Sequence, residues 1–307
     1  MGEVDRPTGV ESYLAVRRAC GFALHSEGHL LNSFAAFSSA RGEEHVCSRI
    51  AIEWAGLSQT LHQRARRLGE VIRFARYMRA EDPRHELPEP VFGGESRQRP
   101  TPYILSRNEV ERLVAAAFQP VYQGLRRDTY STLFALLACT GLRVSEAIGL
   151  CYEDVTADGL VIRSSKFRKS RLVPLHDTAQ AHLVRYLERR RRQPPFDDPH
   201  LFVSMHRKPL RLGNVESAFQ TAARKIGLPR NRGQPRATPH SLRHTFAVRA
   251  LETCPDDRDH ITQHLLSLST YLGHAQAANT YWYLEATPEL MRNIAERCER
   301  FLTGERP

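Results

Sequence analysis

Between residues 82 and 102 the chain carries Pro83, Pro88, Pro90, Pro100 and Pro102 together with Gly93 and Gly94, and no regular element can run through such a stretch. Proline lacks the N–H that a helix or a strand ladder uses and fixes its own φ, so this density leaves extended or turning chain. The stretch predicts an interdomain linker over 83–102, with one domain at 1–82 and a second at 103–307. The chain has 307 residues, enough for each domain to bury its own core.

The first domain reads as helical throughout. Apolar residues from Tyr13 to Phe37 recur at helical spacing, with a break expected at Gly28. Ser58 is placed to cap a further helix, on which Leu61, Ala65, Leu68, Ile72 and Ala75 form an apolar stripe. The same helix carries Arg64, Arg66, Arg67, Arg73, Arg76 and Arg79 against a single acid, Glu70. A solvated face usually mixes signs, so a helix this one-sided suits a run of phosphates, and Arg64, Arg67, Arg73 and Arg76 are candidate DNA contacts. The net charge of +10 favours the same partner, though charge alone only sets a prior.

Beyond the linker the pattern changes. Ser106 followed by Glu109 has the form of a capping box ahead of Val110, Leu113 and Val114. An apolar helix over Thr129–Cys139 should end near Gly141, and another should begin around Arg143. Leu160–Arg163 and Arg171–Leu175 read as strands, joined by the basic turn at 164–170. Helix resumes over Asp177–Arg192, a second proline-rich loop spans Gln193–Pro199, and the remainder is mostly helical. The expected fold is mainly α with a small antiparallel β-sheet in the second domain.

Several classes are excluded. No run approaches the roughly 18 apolar residues of a membrane span, and Met1–Pro7 is polar and acidic rather than a secretion signal, so no membrane partner is expected and the default location is cytoplasmic. The six cysteines are scattered without a CxxC pair, which predicts free thiols, mostly buried. His260 and His264 could share a helical face, but without a third ligand nearby they read as a polar face, and no metal or cofactor is expected.

The chemistry lies in four separated pieces: TGLRVSEAIGL (140–150), which contains Arg143 and Glu146; a basic turn with Lys166 leading into RLVPL (171–175); HSLRHTFA (240–247), with His240 and Arg243; and LGH (272–274), with Tyr283 nine residues after His274. Singly each has a bland reading, such as an Arg143–Glu146 pair one helical turn apart or a tyrosine in a core. In this order and at these spacings they resemble the tyrosine recombinases, the phage-integrase-like family, over about residues 103–290.

The resemblance implies a two-domain DNA clamp whose catalytic domain exchanges DNA strands through a 3′-phosphotyrosyl intermediate. It makes Tyr283 the nucleophile, with Arg143 and Arg243 on the non-bridging oxygens, where a guanidinium fork suits phosphate. Lys166, on a hairpin, would protonate the leaving 5′-oxygen, His240 would assist proton transfer at the tyrosine, and His274 would bond to the scissile phosphate. Glu146 would orient Arg143 or His240 from behind. Lys169 and Arg171 join the candidate DNA contacts. The implied assembly is a homo-oligomer on double-stranded target sites, a tetramer working through a Holliday junction, with related recombinases as further partners. The ending TYWYLEATPEL is similar to recombinases carried by transposable elements, which implies an integrase or transposase of a mobile element.

Some features depart from the pattern or leave choices. SSKFRKSR replaces the usual glycine-flanked lysine, so Lys169 rivals Lys166 as the acid, and Tyr281 rivals Tyr283 as the nucleophile. Residues 251–266 exceed the usual spacing, as an extra loop or a longer helix. Thr287–Leu302 reads as a terminal helix that packs on its own domain or docks on a neighbouring subunit. Two other activities compete with recombination: a type IB topoisomerase, and a DNA-binding accessory protein with a degenerate site.

Overall fold

A computed structural model describes residues 6–22, 24–93, 101–118, 125–163, 170–192, 198–204, 206–229, 236–253, 258–273 and 283. The chain divides into two compact units, Met1–Arg99 and Pro100–Pro307.

In the first unit, α1 (Arg6–Ala19), α2 (His25–Ser39), α3 (Ser48–Gly56) and α4 (Leu61–Glu81) bury Leu14, Leu31, Phe34, Ile50, Trp54, Leu68, Val71 and Ala75 in one core. The break between α1 and α2 falls at 20–24 rather than at Gly28, with Gly21 and Leu24 at φ 90° and 48°. Gly28 lies inside α2 and is buried. A Cβ there would stand 3.3 Å from the Leu14 side chain, so this glycine lets two helices approach closely. The cap of α4 is also different from the one expected: Thr60 accepts from the Gln63 N–H, while the Ser58 hydroxyl accepts from Arg67 instead. The proline-rich stretch holds no helix or strand among its described residues, yet up to Gly93 it packs on this unit. His85 accepts the Val46 N–H at 2.9 Å, Glu86 accepts the Ser48 N–H at 2.7 Å, and Phe92 lies against the core.

The second unit opens with α5 (Arg107–Ala117), closed by the expected Ser106–Glu109 capping box, and α6 (Leu125–Thr140). Then come α7 (Val144–Ile148), β1 (Val155–Thr156), β2 (Gly159–Ile162) and β3 (Arg171–Val173), followed by α8 (Asp177–Arg191), α9 (Leu212–Lys225), α10 (Pro239–Glu252) and α11 (Arg258–Leu272). The sheet is antiparallel in the order β1-β2-β3, with Leu160 opposite Val173 and Ile162 opposite Arg171. β1, with only two residues, is too short to show alternation in the sequence. Leu160 and Val173 join Leu133, Phe134, Tyr186, Phe202, Phe219 and Leu242 in the main core. A second cluster, formed by Ala247, Val248, Leu251, Leu268 and Leu272, encloses Tyr283. The 251–266 segment contributes the start of α11.

One lesser expectation changes. Of the four described cysteines, all unpaired, Cys20 is exposed just past the end of α1, Cys139 is exposed, and Cys47 and Cys151 are half-buried, Cys47 at the edge of the first unit's core. His264 takes a local role, its Nε2 lying 2.7 Å from the Ala250 carbonyl oxygen. Among the described residues there is no cluster of three potential metal ligands, and no helix is long and apolar enough to cross a membrane.

Candidate active site

Gly141 sets the geometry at the end of α6. Its φ is +61°, and a Cβ there would stand 2.5 Å from the Phe246 ring. Only glycine fits this left-handed turn against α10, and the turn starts α7 two residues later with Arg143 at its N-cap. Arg143 donates its backbone N–H to Glu146 Oε2 at 2.9 Å, Nη1 to Glu146 Oε1 at 2.7 Å, and Nη2 to the Gly273 carbonyl at 2.9 Å.

Glu146 is the hub. Arg171, the first residue of β3, donates Nη1 and Nη2 to its two carboxylate oxygens at 3.0 and 2.9 Å, and Nε to the Tyr271 carbonyl at 2.8 Å. Burial works against the charge on Glu146, but the hydrogen bonds from Arg171 and Arg143 outweigh it and hold the carboxyl below its usual range. One carboxylate thus joins α7 to β3, and its two arginine partners reach on to the carbonyls at the end of α11. Arg171, expected among the DNA contacts, has all three guanidinium nitrogens engaged by protein.

α10 carries the other half. Pro239 at its first turn begins the helix, which brings His240, Arg243 and His244 towards the same place. Arg243 is 2% exposed, with Nη1 on the Gly141 carbonyl and Nη2 on the Leu272 carbonyl, both at 2.7 Å. Burial and nearby Arg143 lower its pKa to about 10, against the opposing pull of Tyr283 and Glu146, so it stays charged at neutral pH. The same two causes, burial and the positive charges of Arg243 and Arg143, bring His240 down to about 4. The residue keeps an exposed surface, yet both arginines push the ring the same way, so the neutral form is secure near pH 7.

Tyr283 is 3% exposed, and its hydroxyl lies 3.2 Å from His244 Nδ1. His244 went unremarked in the sequence, although its place four residues after His240 puts both on one helical face, and their rings stand 4.5 Å apart. Arg143, Glu146, Arg171, His240, Arg243 and Tyr283 are therefore brought near one another. Lys166, Lys169, His274 and Tyr281 lie outside the described residues, as does 287–302.

In the first unit, the arginines of α4 divide. Arg64 donates to the Ser58 carbonyl at 2.7 Å, Arg67 lies 4.1 Å above the Trp54 ring, and Arg73 pairs with Glu70. Arg66, Arg73, Arg76 and Arg79 are exposed.

Two guanidiniums, one of them buried, are thus gathered near a buried tyrosine on a helical domain with a small antiparallel sheet. Over residues 104–289 the sequence matches the family described as "Phage integrase family", and the chain belongs to that family, the tyrosine recombinases. It is 38% identical over 302 residues to y4rB of Sinorhizobium fredii, which carries an integrase/recombinase name, covering 95% of this chain and 96% of that one. It is 33% identical over 249 residues to the tyrosine recombinase XerD of Caulobacter vibrioides, covering 76% and 73%. In fold it is similar to a lambda integrase solved as a tetramer bound to a Holliday junction, with a TM-score of 0.62 at 17% identity over 90% of this chain and 79% of the other.

Proposed function

We propose that the protein cleaves and rejoins double-stranded DNA at specific sites, in the cytoplasm, with Tyr283 as the nucleophile. The observation that carries the reading is the Tyr283 hydroxyl, 3.2 Å from His244 on α10 and close enough to Arg243 to act on its charge, as Arg143 and Glu146 also do. Attack by its oxygen on the scissile phosphorus forms a 3′-phosphotyrosyl bond and releases the 5′-oxygen. Arg143 and Arg243 stabilise the charge on the non-bridging oxygens, fixed beforehand by Glu146 and by backbone carbonyls. Lys166 protonates the 5′-oxygen, neutral His240 assists at the phenol, and His274 binds the phosphate. Two arginines and a lysine provide the charge, and the phosphotyrosyl bond keeps the energy for rejoining.

The first unit grips the duplex through the exposed arginines of α4. Four copies act on two duplexes through a Holliday junction, the arrangement of the lambda integrase tetramer. The biological setting is a mobile element.

Covalent trapping tests this. Wild-type protein, Tyr283→Phe and Tyr281→Phe are incubated with nicked duplexes from the DNA flanking the gene, with EDTA present. An SDS-resistant adduct that is lost only in Tyr283→Phe is expected. Loss only in Tyr281→Phe would move the nucleophile, and binding without any adduct would favour a DNA-binding accessory protein.

A further inference from the structure

Two histidines stand one turn apart on α10, and the one that reaches the tyrosine is not the one the family motif singles out. His244 Nδ1 lies 3.2 Å from the Tyr283 hydroxyl oxygen. Its ring stands 5.5 Å from the tyrosine ring at an interplanar angle of 57°, a tilted packing that leaves the nitrogen facing the hydroxyl. The His240 ring stands edge-on to that of His244, at 82° and 4.5 Å. We propose that His244 is a further catalytic residue, which holds and aims the nucleophilic oxygen by accepting the hydrogen bond of the Tyr283 hydroxyl. The inference rests on the reading of Tyr283 as the nucleophile.

The packing explains why such an anchor is needed. Leu251, Leu268 and Leu272 fix the body of Tyr283 in an apolar cluster, where it is 3% exposed, but apolar contacts do not choose where a hydroxyl points. A buried phenol also needs a hydrogen-bond partner, because an unmade bond in such a place is costly. His244 fills both needs when its proton sits on Nε2 and Nδ1 is left as the acceptor. Its own position is fixed by α10, the helix that carries Arg243. The acceptor that holds the attacking oxygen and the guanidinium that receives the developing charge are thereby mounted on one rigid element, which favours alignment.

The test compares full-length His244→Phe and His244→Asn with wild type and Tyr283→Phe on the same nicked duplexes, measuring affinity and the single-turnover rate of adduct formation. Phenylalanine keeps the ring and removes the acceptor; asparagine places an amide oxygen where Nδ1 stood. All variants are expected to bind within about twofold of wild type, while His244→Phe cleaves about 100-fold more slowly, the scale of a mis-aimed nucleophile. His244→Asn is expected to recover roughly tenfold of that loss, about the value of one restored hydrogen bond. A purely structural role would not give this recovery. If His244→Phe cleaves within about threefold of wild type, or if the two variants are equally slow with binding intact, the proposal fails. If Tyr283→Phe still forms the adduct, the assignment of the nucleophile fails instead, whatever the His244 variants do. Should His244→Phe not fold, the Asn variant alone decides: a cleavage rate within about tenfold of wild type supports the acceptor role, and a loss near 100-fold overturns it.

Discussion

The charge state of His240 is set by its surroundings. Burial and the guanidiniums of Arg243 and Arg143 lower its pKa from an ordinary 6.5 to about 4. A base that binds its proton less tightly in the fold than in the unfolded chain contributes stability above its ordinary pKa and loses it as pH falls. The window here runs from 6.5 down to about 4. The melting temperature of the wild type should therefore fall more steeply across that window than that of His240→Gln, with parallel curves above neutrality. Identical slopes would show that the ring does not titrate against the arginines. Glu146 supports the other side of the pocket, with its side chain 7% exposed between Arg143 and Arg171. Glu146→Gln leaves both guanidiniums without a counter-charge, and breaking a buried pair costs about 3–5 kcal/mol. Since the Arg143 side chain is 25% exposed and water can partly replace the lost carboxylate, the low end, about 3 kcal/mol, is expected in urea unfolding. An unchanged midpoint would exclude Glu146 as the hub.

At the scale of elements, α4 and β3 separate arginines that look alike in sequence. Arg76 points outward from α4, whereas Arg67 donates to the Ser58 hydroxyl and covers Trp54. Arg76→Ala should reduce the slope of log affinity against log salt by about 0.9, the value of one phosphate contact, and leave stability unchanged. Arg67→Ala should leave the slope alone and destabilise the unit, by about 1 kcal/mol through the lost ring contact. Arg171 anchors β3, the strand entered from the Lys166 turn, to Glu146 and to the Tyr271 carbonyl. Arg171→Lys cannot reproduce three fixed donors, so cleavage should fall while affinity and salt slope stay at wild-type values; a reduced slope would make it a DNA contact after all. Most helices and the capping box at Ser106 were legible because they rest on local periodicity and local hydrogen bonds. The failures share a different cause. Ser58 and Thr60 are equally good caps on local grounds, and the choice is made by Arg67, nine residues beyond Ser58. Gly28 reads as a breaker until Leu14 is brought against it. Arg171 reads as a free cation because its partners are 25 and 100 residues away, and nothing local marks His244, whose partner is Tyr283, 39 residues on.

For the whole molecule, the residues of the candidate site all belong to Pro100–Pro307, while the basic face of α4 belongs to Met1–Arg99. Each unit has its own apolar core, with Trp54 at 1% exposure in one and Phe134 fully buried in the other. Truncating a large buried aromatic removes about 3–5 kcal/mol from the core that holds it. Two separate cores make that loss local, so Trp54→Ala should lower one calorimetric transition and Phe134→Ala another. The functional effects should divide in the same way. Trp54→Ala takes away the ring under Arg67 and loosens the packing behind α4, so it should weaken DNA binding. On duplex held at saturation, however, its rate of adduct formation should stay close to wild type, because no group around Tyr283 has been touched. Phe134 lies on α6, the helix that ends at Gly141 and feeds Arg143 into the pocket. Phe134→Ala should therefore slow cleavage even on saturated DNA. If both substitutions lower a single shared transition and slow cleavage alike, the two units fold and act as one, and grip cannot be separated from chemistry in this chain.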